Sequence, residues 1–253
     1  MLMPELFKQY LEHLFLGKRC QARELIIAAQ DRGIPACKLL KMIIWPAMEQ
    51  VESLFRRNHI NLIMEHMGTR INRMVADQLQ GMLARAPKTG QRMVVACGDG
   101  EGEELGAQIT ADLFEARGWS VWFLGSGVPS DEILQFIGKT TPDILCIYGT
   151  KPAGVPSTRK LIALIRGVGV CPDMQVLVMG GVFNRAEGLS DEVKADLFAT
   201  NATEAIQVVV DHPVRVPKLD IPEPGRRRKR KRVAASMPRK MRRTAGRAVA
   251  YRS

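Results

Sequence analysis

The hydrophobic pattern of this 253-residue chain changes its period once, and this change constrains the fold more than any other feature. In the first third, apolar residues recur at helical spacing in four segments: Leu2–Leu16, Gln21–Gln30, Ala36–Phe55 and Ile60–Leu83. After residues 87–90, strand patterns alternate with helix patterns. Short helix connections favour an antiparallel bundle, and the alternation favours a doubly wound parallel sheet. We predict a helical bundle over residues 1–86 and an α/β domain over residues 90–212.

A glycine-rich, acidic turn joins the first predicted strand, Arg92–Cys97, to the next helix pattern. Residues 98–106 read Gly-Asp-Gly-Glu-Gly-Glu-Glu-Leu-Gly. Such a turn lets a ligand approach the backbone beside the N–H groups of the helix. The spacing fits neither a dinucleotide fingerprint nor a phosphate loop, and the acidic side chains would repel a bare phosphate. Because ligands of doubly wound sheets bind at the carboxyl ends of the strands, the turn predicts a site for a ligand other than a nucleotide.

The turn and the segments after it resemble the cobalamin-binding domain, whose signature is Asp/Glu-x-His-x-x-Gly. Residues 101–106 read Glu-Gly-Glu-Glu-Leu-Gly at that place. The resemblance continues through the predicted strands Gly118–Gly125, Pro142–Tyr148 and Val176–Gly181, the segment Ala195–Phe198 and the helix from Ala202. The N-terminal third resembles the bundle that caps cobalamin in methionine synthase and in light-sensing cobalamin regulators. The match covers roughly residues 3–212 and implies a Rossmann-like domain with cobalamin as its cofactor.

The resemblance also implies which residues contact the cofactor. In the α/β domain these are Glu101, Glu103, Gly106, Gly125, Tyr148, Gly180 and Gly181, and in the bundle they are Phe55, Glu65 and His66. In the light-sensing relatives a tryptophan lies over the cofactor and precedes a Glu-His pair; Phe55 takes the place of that tryptophan here. The candidate metal ligands are His66 and His59.

Two positions depart from the family pattern. Glu103 replaces the histidine that ligates cobalt, and a carboxylate oxygen suits such a cobalt less well than an imidazole nitrogen. Tyr148 replaces a serine that usually faces the cofactor's nucleotide tail, and its larger side chain would narrow the tunnel for that tail. Glu103 has a simpler interpretation as a helix-start residue that the helix dipole favours. Tyr148 and Phe55 have a simpler interpretation as packing residues. Three possibilities therefore remain open: the family's ligand is retained, it is changed, or it is lost.

The positive charge of the chain is concentrated in its C-terminal segment. Of 37 Lys and Arg residues, 15 lie in residues 213–253 with two acids, whereas the first 212 residues carry 22 against 24 acids. After a proline-containing linker comes an uninterrupted basic run: Arg226, Arg227, Arg228, Lys229, Arg230, Lys231 and Arg232. The low apolar content predicts a disordered tail. The basic clusters predict contacts to nucleic acid such as DNA, with a merely solubilising extension as the alternative.

Composition excludes several classes of protein. No stretch approaches the roughly 18 uninterrupted apolar residues that predict a membrane span. The five cysteines show no C-x-x-C spacing, and their odd number argues against a disulfide framework, so we predict a cytoplasmic protein. The four histidines suggest no Ser-His-Asp or Cys-His constellation. The sequence therefore does not favour an enzyme.

These observations predict a sensor or transcription-associated regulator that binds a corrinoid without an axial histidine. Its tail would bind nucleic acid, and a regulator protein or a second copy of the chain would be its protein partner. Loss of the axial histidine argues against a methyl-carrier role. One alternative is a ligand-free scaffold for protein interactions. Another is a sensor of haem or a related tetrapyrrole, with His59, His66 or Cys97 as candidate axial ligands.

Overall fold

A computed structural model describes residues 2–98 and 104–216. Within that part of the chain, the N-terminal third contains the helices α1 (Met3–Phe15), α2 (Arg19–Asp31), α3 (Ala36–Leu39), α4 (Trp45–Arg56) and α5 (Leu62–Gln80). Their apolar faces meet in one core, where Leu14, Ile26 and Leu79 are fully buried. These faces can meet because apolar side chains three and four positions apart share one side of a helix. The predicted helical N-terminal part is confirmed.

The rest of the described chain forms a parallel sheet in the order β2-β1-β3-β4-β5. Its strands are β1 (Arg92–Cys97), β2 (Ser120–Gly125), β3 (Ile144–Tyr148), β4 (Gln175–Met179) and β5 (Leu197–Ala199). The helices are α6 (Glu104–Ala116), α7 (Ser130–Thr140), α8 (Val155–Val168), α9 (Gly181–Arg185), α10 (Leu189–Glu192) and α11 (Ala202–Asp211). The central strands β3 and β4 are buried throughout, as in sheets covered on both faces. The predicted doubly wound α/β fold is confirmed.

Alternate residues of the sheet belong to two separate cores, since successive side chains point to opposite faces. Met93 and Val95 join the core that contains the bundle and the inner sides of α6 and α11. Val94 and Ala96 join the core that contains α7 and α8. The bundle therefore packs on the α6 side of the sheet. The exact domain boundaries at residues 86, 90 and 212 stay predictions.

The helix predicted over Ala36–Phe55 is interrupted by a π-helical turn at Leu40–Ile44. Pro46 has no backbone N–H and cannot continue the α-helical hydrogen-bond pattern. The N–H of Trp45 instead reaches back to the carbonyl of Leu40. The side chain of Asn72 on α5 donates to the carbonyl of Ile44 at 3.0 Å, and this bond supports the altered turn. Trp45, the next residue, lies buried at the start of α4.

No helix of the described ranges combines the length and the low polarity that a membrane-crossing segment requires.

Candidate functional site

The sheet order identifies where a ligand would bind. The connections from β1 and from β3 leave in opposite directions, so the carboxyl ends of these two strands border a crevice. Gly98 follows β1 at this place, and its N–H donates to the carbonyl of Tyr148 at the end of β3 over 2.8 Å. The glycine-rich turn that the sequence singled out begins at this crevice.

A cavity of about 610 Å³ opens between the bundle and these strand ends. It is lined by residues from both halves of the chain, including Trp45, Glu49, Phe55, Glu65, His66, Tyr148, Gly180, Gly181 and Arg185. Six of these were expected to contact a cofactor: Phe55, Glu65, His66, Tyr148, Gly180 and Gly181. Residues far apart in sequence thus surround one space, whose volume lies within the usual range of about 300–1,000 Å³ for ligand pockets. We call this space the cleft.

Two glycines after β4 bring backbone into close contact at one wall of the cleft. Gly180 has φ +104°, and a Cβ there would lie 2.3 Å from the carbonyl oxygen of Gly149. A Cβ on Gly181 would lie 2.6 Å from an Arg185 nitrogen and 3.0 Å from a Glu52 oxygen. A larger residue at Gly180 would meet backbone in a conformation that favours glycine, whereas at Gly181 it would meet only the movable ends of two side chains. The wall therefore depends chiefly on Gly180.

Tyr148 closes the cleft on the side of the sheet. Its side chain is 3% exposed, and a Cβ built on Gly106 would lie 2.1 Å from its hydroxyl oxygen. The ring packs edge-on against Trp45, with centroids 6.4 Å apart and planes at 88°. Gly106 is therefore the glycine that admits the tyrosine ring.

The bundle side of the cleft carries the candidate upper-face residues. Phe55 is 37% exposed, and the imidazole of His66 is largely exposed, with its Nε2 3.5 Å from a carboxylate oxygen of Glu65. The other candidates for axial ligands lie elsewhere. His59 is exposed in the turn after α4 and is not a lining residue, whereas Cys97 is buried on the bundle side of β1. Among the described residues, no three His, Cys, Asp or Glu side chains are grouped to hold a metal.

Glu104, at the start of α6, connects three elements and was not identified from the sequence as a site residue. Its carboxylate accepts hydrogen bonds from the backbone N–H of Ser126 at 3.0 Å and from its hydroxyl at 2.8 Å. Arg73 of α5 donates to the other oxygen at 3.3 Å. Burial raises the pKa of Glu104, but the bonds from Ser126 and Arg73 outweigh it, so the pKa lies below its ordinary value. Gly125, a predicted contact residue, leaves room for this carboxylate.

A second ion pair joins the bundle to the α/β domain, and both of its residues line the cleft. Arg185 of α9 pairs with Glu52 of α4 at 2.6 Å and also donates to the carbonyl of Thr150. Nearby, Glu49 accepts from the indole N–H of Trp45 at 2.9 Å. Burial and the charge of Glu52 raise the pKa of Glu49 against the lowering effect of that bond. The sequence did not predict the pairing of Arg185 with Glu52, because no local pattern relates two residues that lie 133 positions apart.

Several predicted residues lie outside the described residues. Glu101 and Glu103 belong to the undescribed part of the turn, and the basic run 226–232 belongs to the undescribed C-terminal segment. Their roles stay predictions.

Comparisons with known families agree with this geometry. A family described as the B12 binding domain matches residues 91–210, and a second B12 binding domain family matches residues 6–80. The first match covers the sheet with its helices, and the second covers the bundle. Cobalamin, the cofactor predicted from the resemblance, is therefore confirmed as the cofactor of this family of domains.

Individual relatives include corrinoid proteins of Methanosarcina species. Dimethylamine corrinoid protein 3 of Methanosarcina acetivorans is 23% identical over 192 residues, which cover 73% of this chain and 87% of the relative. The dimethylamine corrinoid protein of Methanosarcina barkeri is 23% identical over 206 residues, 80% of this chain and 94% of the relative. The structure of the M. barkeri monomethylamine corrinoid protein aligns with a TM-score of 0.75 at 17% identity, over 83% of this chain and 99% of that one. That alignment shows the same fold.

Proposed function

Because this chain belongs to the B12-binding domain family, we propose that it binds a corrinoid in the cleft and acts as a sensor or regulator, not as an enzyme. The observation that carries the proposal is the shared lining of the cleft. Side chains of α4 and α5 line one side of the cleft, and the wall at Gly180 and Gly181 and the strand ends line the other; the cleft has a volume of about 610 Å³. A flat macrocycle placed there would contact the bundle on one face and the sheet ends on the other.

The chemistry of the turn supports a regulator more than a methyl carrier. A carrier needs a lower ligand that tunes cobalt through a redox cycle, and Glu103 offers a hard carboxylate oxygen for this role. Next to Glu101 it would also suffer like-charge repulsion on burial. We therefore expect the cobalt to keep the corrinoid's own base or water on its lower side. A cytoplasmic location and a protein partner belong to the same proposal.

The first experiment is the absorption spectrum of the full chain, purified from cells supplied with both cobalamin and haem. A corrinoid spectrum supports the proposal, and a Soret band favours the tetrapyrrole alternative. No colour and no binding on reconstitution with cobalamin would favour the ligand-free scaffold. The ion pairs Arg185–Glu52 and Arg73–Glu104 favour this second candidate, because they already join the bundle to the sheet.

The lower ligand is tested by Co(II) paramagnetic resonance. With 15N-labelled protein, the wild-type complex should show no splitting from a protein nitrogen. Glu103→His should introduce such splitting only together with Tyr148→Ser, because the tyrosine ring narrows the space that the displaced nucleotide tail needs. Protein nitrogen on cobalt in the wild type would contradict the proposal. On the bundle side, His66→Ala should change the spectrum of the bound corrinoid, and His59→Ala is the matched control because His59 does not line the cleft.

We further propose that the basic run 226–232 binds nucleic acid through phosphates. The segment has no interleaved aromatic residues for base stacking, so we expect little sequence preference. Neutralising about five to seven phosphates gives a slope of log affinity against log salt near −5 on duplex DNA. Deleting residues 226–253 should abolish this binding and leave the melting temperature of the core nearly unchanged. Full DNA binding by the truncated chain would show that another surface is responsible.

A further inference from the structure

Tyr148 occupies the space between the sheet and the first turn of α6. Ideal Cβ geometry at Gly106 places that atom 2.1 Å from the Tyr148 hydroxyl oxygen, 2.3 Å from Cζ and 2.7 Å from Cε2. These distances are far below ordinary van der Waals contact. The outer half of the ring therefore lies directly on the backbone of α6, with no room between them for another group.

The surroundings hold the ring in this position. Trp45 packs edge-on against it from the bundle, and the backbone N–H of Gly98 donates to the Tyr148 carbonyl. One turn further along α6, the hydroxyl of Thr110 donates to the carbonyl of Gly106 at 2.7 Å and contacts the sulfur of Met179 at 3.7 Å. Because Tyr148, Thr110 and Met179 are all buried, this layer is filled by protein atoms from strand to helix.

A cobalamin consists of a flat corrin ring and a nucleotide arm. The arm either folds back so that its base ligates the cobalt of the same molecule, or it extends away from the ring and needs a channel of its own. Above Tyr148 the cleft is open, but below it the layer against α6 is closed. The two parts of the ligand thus meet very different surroundings at this one residue.

We propose that Tyr148 determines which corrinoids this chain accepts: those whose nucleotide arm is folded onto their own cobalt or is absent. The proposal rests on the proposed corrinoid site. Tyr148 acts here as a specificity-determining residue by filling volume. Its hydroxyl has no chemical role in this argument.

The test compares two ligands on the full-length chain. Cobinamide has the corrin ring without the nucleotide, so its affinity relative to cobalamin measures what the arm contributes. We expect wild-type affinities that agree within about threefold, a difference of under 1 kcal/mol. The Co(II) spectrum of bound cobalamin should retain the nitrogen splitting of its own base.

Variants at Tyr148 make the test specific. Tyr148→Ser opens the layer and should favour cobalamin over cobinamide by about tenfold, with loss of the splitting from the ligand's own base. Tyr148→Phe is the matched control, since its ring still lies against Gly106, and it should behave like the wild type. Circular dichroism establishes that both variants are folded.

The outcomes separate this inference from the proposed function. Wild-type protein that binds cobalamin with its own base displaced, or that strongly prefers cobalamin to cobinamide, overturns the role of Tyr148 and leaves the corrinoid site intact. Wild-type protein that binds neither corrinoid overturns both. The wild-type measurements by themselves decide whether Tyr148 has this role. The inference can therefore be refuted even if the Tyr148→Ser variant folds poorly.

Discussion

Replacing Gly106 by alanine tests the most crowded contact at the cleft. Alanine in place of glycine within a helix stabilises by about 1 kcal/mol, but here the new methyl group would lie 2.1 Å from the Tyr148 hydroxyl. The ring cannot move freely, because it is buried and packed against Trp45. Overpacking of this kind costs about 1–3 kcal/mol and occasionally more. We expect Gly106→Ala to lower the free energy of unfolding by about 1–2 kcal/mol.

A double-mutant cycle isolates the contact. In a Tyr148→Ser background the obstructing ring is gone, so Gly106→Ala should stabilise by about 1 kcal/mol. The coupling free energy between the two sites is then about 2–3 kcal/mol. Independent sites deviate from additivity by only about 0.5 kcal/mol. Urea unfolding followed by circular dichroism measures each corner of the cycle.

Gly138→Ala provides the matched control. Gly138 also lies inside a helix, α7, and the nearest atom to an added Cβ is 4.0 Å away on Val170. This substitution should therefore stabilise by about 1 kcal/mol. If Gly106→Ala proved as harmless as Gly138→Ala in the wild-type background, the tyrosine ring would not lie against α6, and the inference about corrinoid selection would lose its basis.

Three further perturbations test other contacts of the described chain. Glu104→Gln removes the charge that Arg73 and Ser126 stabilise, and because the folded pKa of Glu104 is lowered, the variant should be less stable than wild type at pH 7. Melting curves should show the stabilities of the two proteins converging as the pH falls through the folded pKa. Burial, with Glu115 and Asp77 nearby, raises the pKa of Asp112 from 3.8 to about 7, so the free energy of unfolding of the wild type should fall as the pH rises through this range. Asp112→Asn should reduce this loss of stability, and a variant with the same pH profile as the wild type would refute the raised pKa of Asp112. Arg185→Ala should speed amide hydrogen exchange in α4 because it breaks the bridge to Glu52, whereas Arg159→Ala, which breaks an exposed pair with Glu192 outside the cleft, should not.

Much of the fold was predictable because it depends on local patterns. The period of the apolar residues distinguished the bundle from the sheet, and the predicted strands agree with the observed ones to within about two residues. The glycine-rich turn indicated the end of the sheet at which the cleft lies, since parallel strands present their carboxyl ends on one edge. The π-helical turn before Trp45 was missed, because a proline inside a helical pattern does not reveal how neighbouring helices will satisfy the freed carbonyl groups.

The sequence by itself determined the classes of element, their order and the family resemblance, all of which follow from the spacing of neighbouring residues. Only the tertiary structure decided what those elements bring together: the Tyr148 ring on Gly106, Glu104 between Arg73 and Ser126, and Arg185 paired with Glu52. These contacts join residues far apart in the chain, and their geometry depends on how the bundle packs against the sheet. No local period encodes such a distance, so the shape of the site appears only when the separate elements share one core.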